Sequence, residues 1–342
     1  MNIVKKLEML GIVNIKKLNI ESIKKIAKNV VEALENASPN MKEEFEKVYL
    51  RLENCDMYTA SIIKPISKVN YIYENNSIYI DEEINIDTVN EQIMHECIHY
   101  LQDRRTIKNK KIGLCNFSDF KVYGIGINEA AVQYISAKAV DETPEIIERF
   151  GVRIKTITPK YYPFLTNLMD QIVYLLGEKV VVKAIFEGSN KFEDVLLDTF
   201  EEKTRKIIKS FDMILEYNNR LNEEQDEIEI KLLQDKIAST YIETQNIIFT
   251  TYFNKICPRL TTLEEVDKYE TKAIYYRNLM GTDLRNGNSS NEFFDTYMQE
   301  LAKKMNKQIY EINKTKNANA LVAVTENKIM KIFKKIASFL KT

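Results

Sequence analysis

Paired cysteines are missing from this chain: Cys55, Cys97, Cys115 and Cys257 stand far apart, in no framework or metal-clip spacing. That argues against a disulfide scaffold and against a thiolate zinc site, and leaves the four as reduced thiols. Net charge is nearly absent as well. Lys and Arg number 49 against 50 Asp and Glu, a formal −1, so no global field favours nucleic acid or an anionic membrane. Apolar runs are short, and none approaches the roughly 18 residues that a transmembrane segment needs. The opening MNIVKKLEMLGIVNIKK is broken by lysines before an apolar signal region forms, so no secretory leader is expected and the expected address is cytoplasmic. Gly 9 and Pro 6 are few for 342 residues, which points to long helices with few breaks. Hydrophobic residues at 44% and charged residues at 29% exclude a disordered chain and supply ample core.

Asn19 opens the periodic run IESIKKIAKNVVEALENA, and Ser38-Pro39 precedes MKEEFEKVYLRL, so residues 1–55 read as an N-terminal helical region. The character changes at Met57. YTASIIKPI is rich in β-branched residues, and VNYIYENNSIYIDEEI reads as a two-residue hairpin around Asn75-Asn76. Thr88-Val-Asn-Glu91 has the form of a capping box, predicting a helix to about Arg105. A second helix is expected from about Asn128 to Val140, after Gly124-Ile-Gly126. From Tyr162 onward nearly everything reads as helix, with breaks at Pro258 and across Gly281–Asn291. The expected architecture is α+β and predominantly helical. A small, mostly antiparallel sheet packs on the first motif helix in a core at 56–190, followed by a helical C-terminal region at 191–342.

The whole chain has two histidines, and they stand four apart in His95-Glu96-Cys97-Ile98-His99. Positions i and i+4 share one face of a helix, so both imidazoles can reach one ion. Glu96 lies about 100° round from His95, where a carboxylate can take a proton from water beside that ion. Two histidines placed at random would give this spacing with a Glu after the first on the order of once in two thousand. Imidazole with a carboxylate suits zinc, and a catalytic zinc needs three protein ligands. The best third candidate is Glu129, in Gly126-Ile-Asn128-Glu129-Ala130-Ala131 at the head of the second helix.

HECIH followed at a distance by GINEAA resembles the gluzincin peptidases, the thermolysin-like group, over roughly residues 70–140. The resemblance implies one zinc ion per chain on His95, His99 and Glu129, with Glu96 as general base. Two departures accompany it. The family often has an acidic residue four positions after the zinc glutamate, orienting a ligand histidine; here that position is Gln133, which can accept the same hydrogen bond. Thermolysin stabilises the oxyanion with a further histidine, which this chain lacks, so a tyrosine must serve: Tyr123, Tyr161 and Tyr162 are the candidates. Asn128, beside the zinc glutamate, is a further candidate for the ligand surroundings. The metzincin extension fails at Gln102 and Arg105. An aspzincin reading would use Asp119 ahead of Tyr123-Gly124, but it lacks the Gly-Thr and its spacing is one residue too long.

The resulting expectation is a zinc metallopeptidase acting on peptides or a flexible protein segment. The alternatives are a non-catalytic zinc-binding regulator or scaffold, and a narrow processing peptidase for one regulatory protein. SIYIDEEI, just ahead of the motif helix, matches the place where gluzincins have an edge strand, so the resemblance implies an edge to which an extended substrate could add by main-chain pairing. The helices of the C-terminal half could present a surface to a protein partner. The basic amphipathic stretch from Asn327 is read as packing on the domain rather than on a membrane.

Overall fold

A computed structural model describes residues 3–39, 42–63, 67–103, 111–118, 121–187, 191–285 and 292–339, the last segment with side chains only to Lys316. The architecture is α+β and predominantly helical, with small sheets of three or four strands. The chain divides into two units: Met1–Ile248 with Leu279–Ser290, and Phe249–Asn278 with Asn291–Thr342.

The first unit begins with α1 (Ile3–Met9), β1 (Ile12–Lys17), α2 (Ile20–Ala37) and α3 (Lys42–Leu52). Asn19 caps α2 as its sequence suggests, its side chain accepting from the Ser22 amide at 2.8 Å. β1 is a departure from the all-helical reading of 1–55. IVNIKK becomes a strand because it pairs antiparallel with β2 (Asp56–Ile62), and Ile12 is buried with Leu7, Ala60, Ile72 and Tyr79. Tertiary pairing overrides local preference there.

β3 (Val69–Ile72) and β4 (Ser77–Asp81) form the expected hairpin, although its turn holds four residues, Tyr73 to Asn76, with Asn76 left-handed at φ 54°. The sheet order is β1-β2-β4-β3, with β2 and β4 parallel and the other two pairs antiparallel. β4 is therefore an interior strand buried along its whole length, and the expectation that SIYIDEEI forms an edge is corrected. β3 is the edge.

On this sheet packs α4 (Glu91–Gln102). Its cap is Asn90 rather than Thr88: the Asn90 side chain accepts from the Ile93 amide at 2.9 Å, and Glu91 falls inside the first turn. Ile93, Met94, Cys97, Ile98 and Leu101 are sealed from solvent, which turns His95, Glu96 and His99 to the other side. Arg51 of α3 secures the far end, donating to the carbonyls of Leu101 and Asp103.

A short three-stranded sheet, β5 (Lys111–Ile112), β6 (Cys115–Ser118) and β7 (Lys121–Tyr123), leads into α5 (Ile125–Ala139). This helix starts three residues earlier than its sequence suggests, with Gly124 left-handed at φ 87° as its cap residue. Ala130 and Ala131 are fully buried, and their small side chains allow α5 to lie close on α4. β8 (Glu145–Arg149) and β9 (Val152–Thr156) then form a hairpin through Phe150-Gly151, both left-handed, and β9 also pairs with β10 (Thr282–Asp283).

α6 (Pro163–Leu176), α7 (Glu178–Glu187), α8 (Lys191–Phe200) and α9 (Thr204–Glu223) complete the surroundings of α5, and α10 (Glu227–Ile256) follows them. A buried polar network ties part of this unit together. Tyr241 donates to Asn167 Oδ1 at 2.6 Å, and the Gly281 amide donates to Tyr241 at 3.0 Å and to Gln245 at 2.9 Å.

The second unit contains the end of α10, α11 (Leu263–Tyr276) and α12 (Glu292–Phe339). Its core is aromatic: Phe249 stacks on Tyr276 at 5.1 Å, with Phe253, Phe294 and Tyr297 around it. A capping box of Thr262 with Glu265 starts α11. The side chains of the basic stretch from Asn327 lie outside the described residues. Among the described residues no helix is long and apolar enough to cross a membrane.

Candidate metal centre

Helices α4 and α5 run antiparallel, as their side-chain contacts show in sequence. Asn128 meets Gln102, Glu129 meets His99 and His95, and Gln133 meets Glu91. The i and i+4 histidines of one helix thus face a carboxylate of the other. His95 Nε2 lies 3.3 Å from Glu129 Oε2, His99 Nε2 lies 3.3 Å from Glu129 Oε1, and the two Nε2 atoms are 2.9 Å apart. Bonds of about 2.0–2.1 Å to a tetrahedral zinc place its ligand atoms roughly 3.3 Å from one another. The two 3.3 Å separations run to different oxygens of Glu129, and taking one donor atom from each residue the three lie within 4.8 Å of one another, a spacing at which the group could hold an ion. It is the one group of three such side chains found among the described residues.

The three side chains keep between 12% and 19% of their surface exposed, so the cluster is reachable from solvent on one side rather than sealed. Burial works against charge on the ring of His99, yet the Glu129 carboxylate outweighs it and raises the ring well above the ordinary imidazole range. Burial likewise works against charge on Glu129, and the two rings reverse that and hold its carboxyl below the usual range. The same carboxylate charge would attract a cation, which would have to displace the proton from the ring.

Glu96 is largely withdrawn from solvent, and that desolvation pushes its carboxyl up against the opposing influence of the two histidines. Its Oε2 accepts the backbone N–H of Tyr71 on β3 at 2.8 Å. The edge strand thereby fixes the carboxylate through one oxygen, beside the ring pair. This contact has no signal in the sequence, because the donor is main chain.

His99 is oriented by Gln102, which has no part in the HExxH pattern. Gln102 Oε1 lies 3.2 Å from His99 Nδ1 and accepts from Asn128 Nδ2 at 3.1 Å, while Gln102 Nε2 donates to Asn128 Oδ1 at 2.9 Å. The Leu114 amide donates to the same Asn128 oxygen at 2.9 Å. Gly113, left-handed at φ 55°, lets the chain cross this pair, since a Cβ there would lie 2.3 Å from Asn128 Oδ1. Asn128 therefore belongs to the surroundings of the candidate ligands, acting through Gln102.

Gln133 does not reach a ligand histidine. One turn beyond Glu129 on an antiparallel helix, it meets the residue one turn before His95, and its amide donates to Glu91 Oε1. Burial pushes Glu91 up to about 6. His95 Nδ1 is buried and lacks a hydrogen-bond partner.

The three tyrosines separate clearly. Tyr123 faces Ile127, Phe192, Glu193 and Ile208, on the side of α5 toward α8 and α9, and is removed from the candidates. Tyr161 is exposed and its hydroxyl accepts from Gln92 Nε2 at 2.6 Å, one turn before His95 and Glu96 on α4. Tyr162 feels the charges of the cluster: burial first, then Glu129 and Glu96, drive its phenol well above the ordinary value. Pro163 follows it as the first residue of α6 and disfavours the helical region for Tyr162, which is left-handed at φ 48° and ψ 45°. A bulky residue held there stores strain on the order of 1–3 kcal/mol, a cost seen mostly at functional positions. Asp119, the aspzincin alternative, lies outside the described residues.

No protein-family model, curated protein or solved structure matches this chain. The functional reading therefore stands on this geometry.

Proposed function

We propose that the chain is a zinc-dependent peptidase of the gluzincin type. The observation that supports it most is the convergence of His95, His99 and Glu129 with Glu96 fixed alongside by the Tyr71 amide. His95, His99 and Glu129 would hold the ion. When bound, zinc would act as a Lewis acid, raising the acidity of water and polarising a carbonyl.

The remaining roles belong to the protein's own side chains. Glu96 has one oxygen committed to Tyr71, and its other oxygen takes the proton of the attacking water and delivers it to the departing amine. The Tyr162 hydroxyl, kept protonated by burial beside two acids, donates to the carbonyl oxygen as negative charge develops on it. Gln102 and Asn128 keep the His99 ring turned toward Glu129.

The substrate class is a peptide or a flexible protein segment. Strand addition is not part of the proposal. Along edge strand β3, the Val69 amide and carbonyl are both engaged by the Ser67 hydroxyl, and the Tyr71 amide is engaged by Glu96.

Glu96→Gln tests the reading. Gln is nearly isosteric but cannot take the proton, so zinc binding and fold should persist while turnover of a peptide library falls roughly a hundredfold or more. Equal turnover by parent and variant would remove Glu96 from the mechanism. Zinc binding with no turnover by the parent would favour a regulator or a narrow processing enzyme.

A further inference from the structure

Glu129 and Asn128 stand within the first turn and a half of α5, where a helix is most easily frayed. The cap residue is Gly124, which has no side chain with which to satisfy the free amides. A carboxylate from another helix does so instead. Asp212 of α9 accepts from the Gly124 amide through Oδ2 at 2.9 Å and from the Gly126 amide through Oδ1 at 2.7 Å. Its negative charge also faces the positive end of the helix dipole. The approach is close enough to require glycine: a Cβ on Gly126 would lie 2.2 Å from the Phe211 carbonyl oxygen and 2.6 Å from the Asp212 amide nitrogen. Asp212 has no sequence signal linking it to the motif, since 86 to 88 positions separate the partners.

We propose that Asp212 is a positioning residue for the metal centre, holding the first turn of α5 so that Glu129 meets both histidines and Asn128 meets Gln102. The inference rests on the metal-site reading above. It makes α9 a working part of the site. Loosening the first turn would release one ligand directly and a second, His99, through Asn128 and Gln102.

Zinc titration by chelator competition on Asp212→Ala, Asp212→Asn and Gly126→Ala, each in the full chain, measures the effect. Asp212→Ala is expected to weaken zinc roughly tenfold or more, a loss of the order seen when groups supporting metal ligands are removed. Asn keeps one acceptor oxygen and should lose less. Gly126→Ala attacks the same junction from the other side and should weaken zinc as well. A purely structural role would lower the melting temperature of the metal-free protein and leave zinc affinity of the folded protein at the parent value, which would overturn the proposal. Hydrogen exchange on the metal-free parent is a second, independent measurement, available even if a variant does not fold. The Gly124 and Gly126 amides should be protected, and exchange at unprotected rates would overturn the junction. A parent that binds no zinc while these amides are protected refutes the metal-site reading instead.

Discussion

Replacing Gln102 with leucine keeps the volume of a side chain that is 1% exposed and removes its polar end. Two consequences follow from the contacts, and they can be measured separately. Asn128 Nδ2 loses the acceptor that it reaches at 3.1 Å, and it is itself buried. Stripping a buried polar group of its partner costs about 1–3 kcal/mol. Urea unfolding of the metal-free variant should therefore show a loss near 2 kcal/mol. The second consequence is for the proposed metal site. With zinc on Nε2, the His99 ring carries its proton on Nδ1, which points at Gln102 Oε1 from 3.2 Å. Removing such a partner typically weakens a metal site by about 10–100-fold, or roughly 1.4–2.8 kcal/mol. Chelator competition on folded protein reads that second effect alone. A variant that loses stability as stated but binds zinc as tightly as the parent would refute the role given to Gln102.

Under the proposed peptidase function, Tyr162→Phe should lower kcat by roughly a hundredfold with little change in KM, since one oxyanion donor is worth about 10²–10³ in rate. Steady-state kinetics check this, and an unchanged kcat would return the oxyanion role to an unidentified group. Asp170 of α6 offers a stability test away from the site. Burial pushes its carboxyl from 3.8 up to about 6, against the pull of Lys138 and Lys155. A raised carboxyl favours the protonated form in the fold, so its contribution is present below the unfolded pKa of 3.8 and is lost as pH rises through about 6. Asp170→Asn should therefore stabilise the protein at pH 7 by at most about 3 kcal/mol and have little effect near pH 3. Urea melts at the two pH values decide it, and a destabilised variant at pH 7 would contradict the burial argument.

What could be read from the sequence was set by local periodicity. His95 and His99 share a helix face because 3.6 residues make a turn, and that needs no tertiary information. Glu129 is legible through the resemblance and its place on a second helix, and it meets both rings. What depended on how helices meet was lost. Gln133 contacts Glu91 because α5 runs antiparallel to α4, a direction that no spacing encodes. Gln102 stands one turn after His99 on the same helix, so an i, i+3 partner search from that ring could have found it. The Tyr71 amide and the Asp212 carboxylate could not have been found, one being main chain and the other far along the chain. The strands show the same division. The β3–β4 hairpin announced itself, whereas β1 is a strand through its pairing with β2, and the interior place of β4 follows from strand order.

The central claim is that His95, His99 and Glu129 hold one metal ion. Elemental analysis and zinc titration of the purified parent, His99→Ala and Glu129→Ala measure it most directly. About one zinc per chain is expected in the parent, with most of it lost in each variant. A parent that takes up no zinc, or a Glu129→Ala variant that holds zinc as tightly as the parent, would contradict the account.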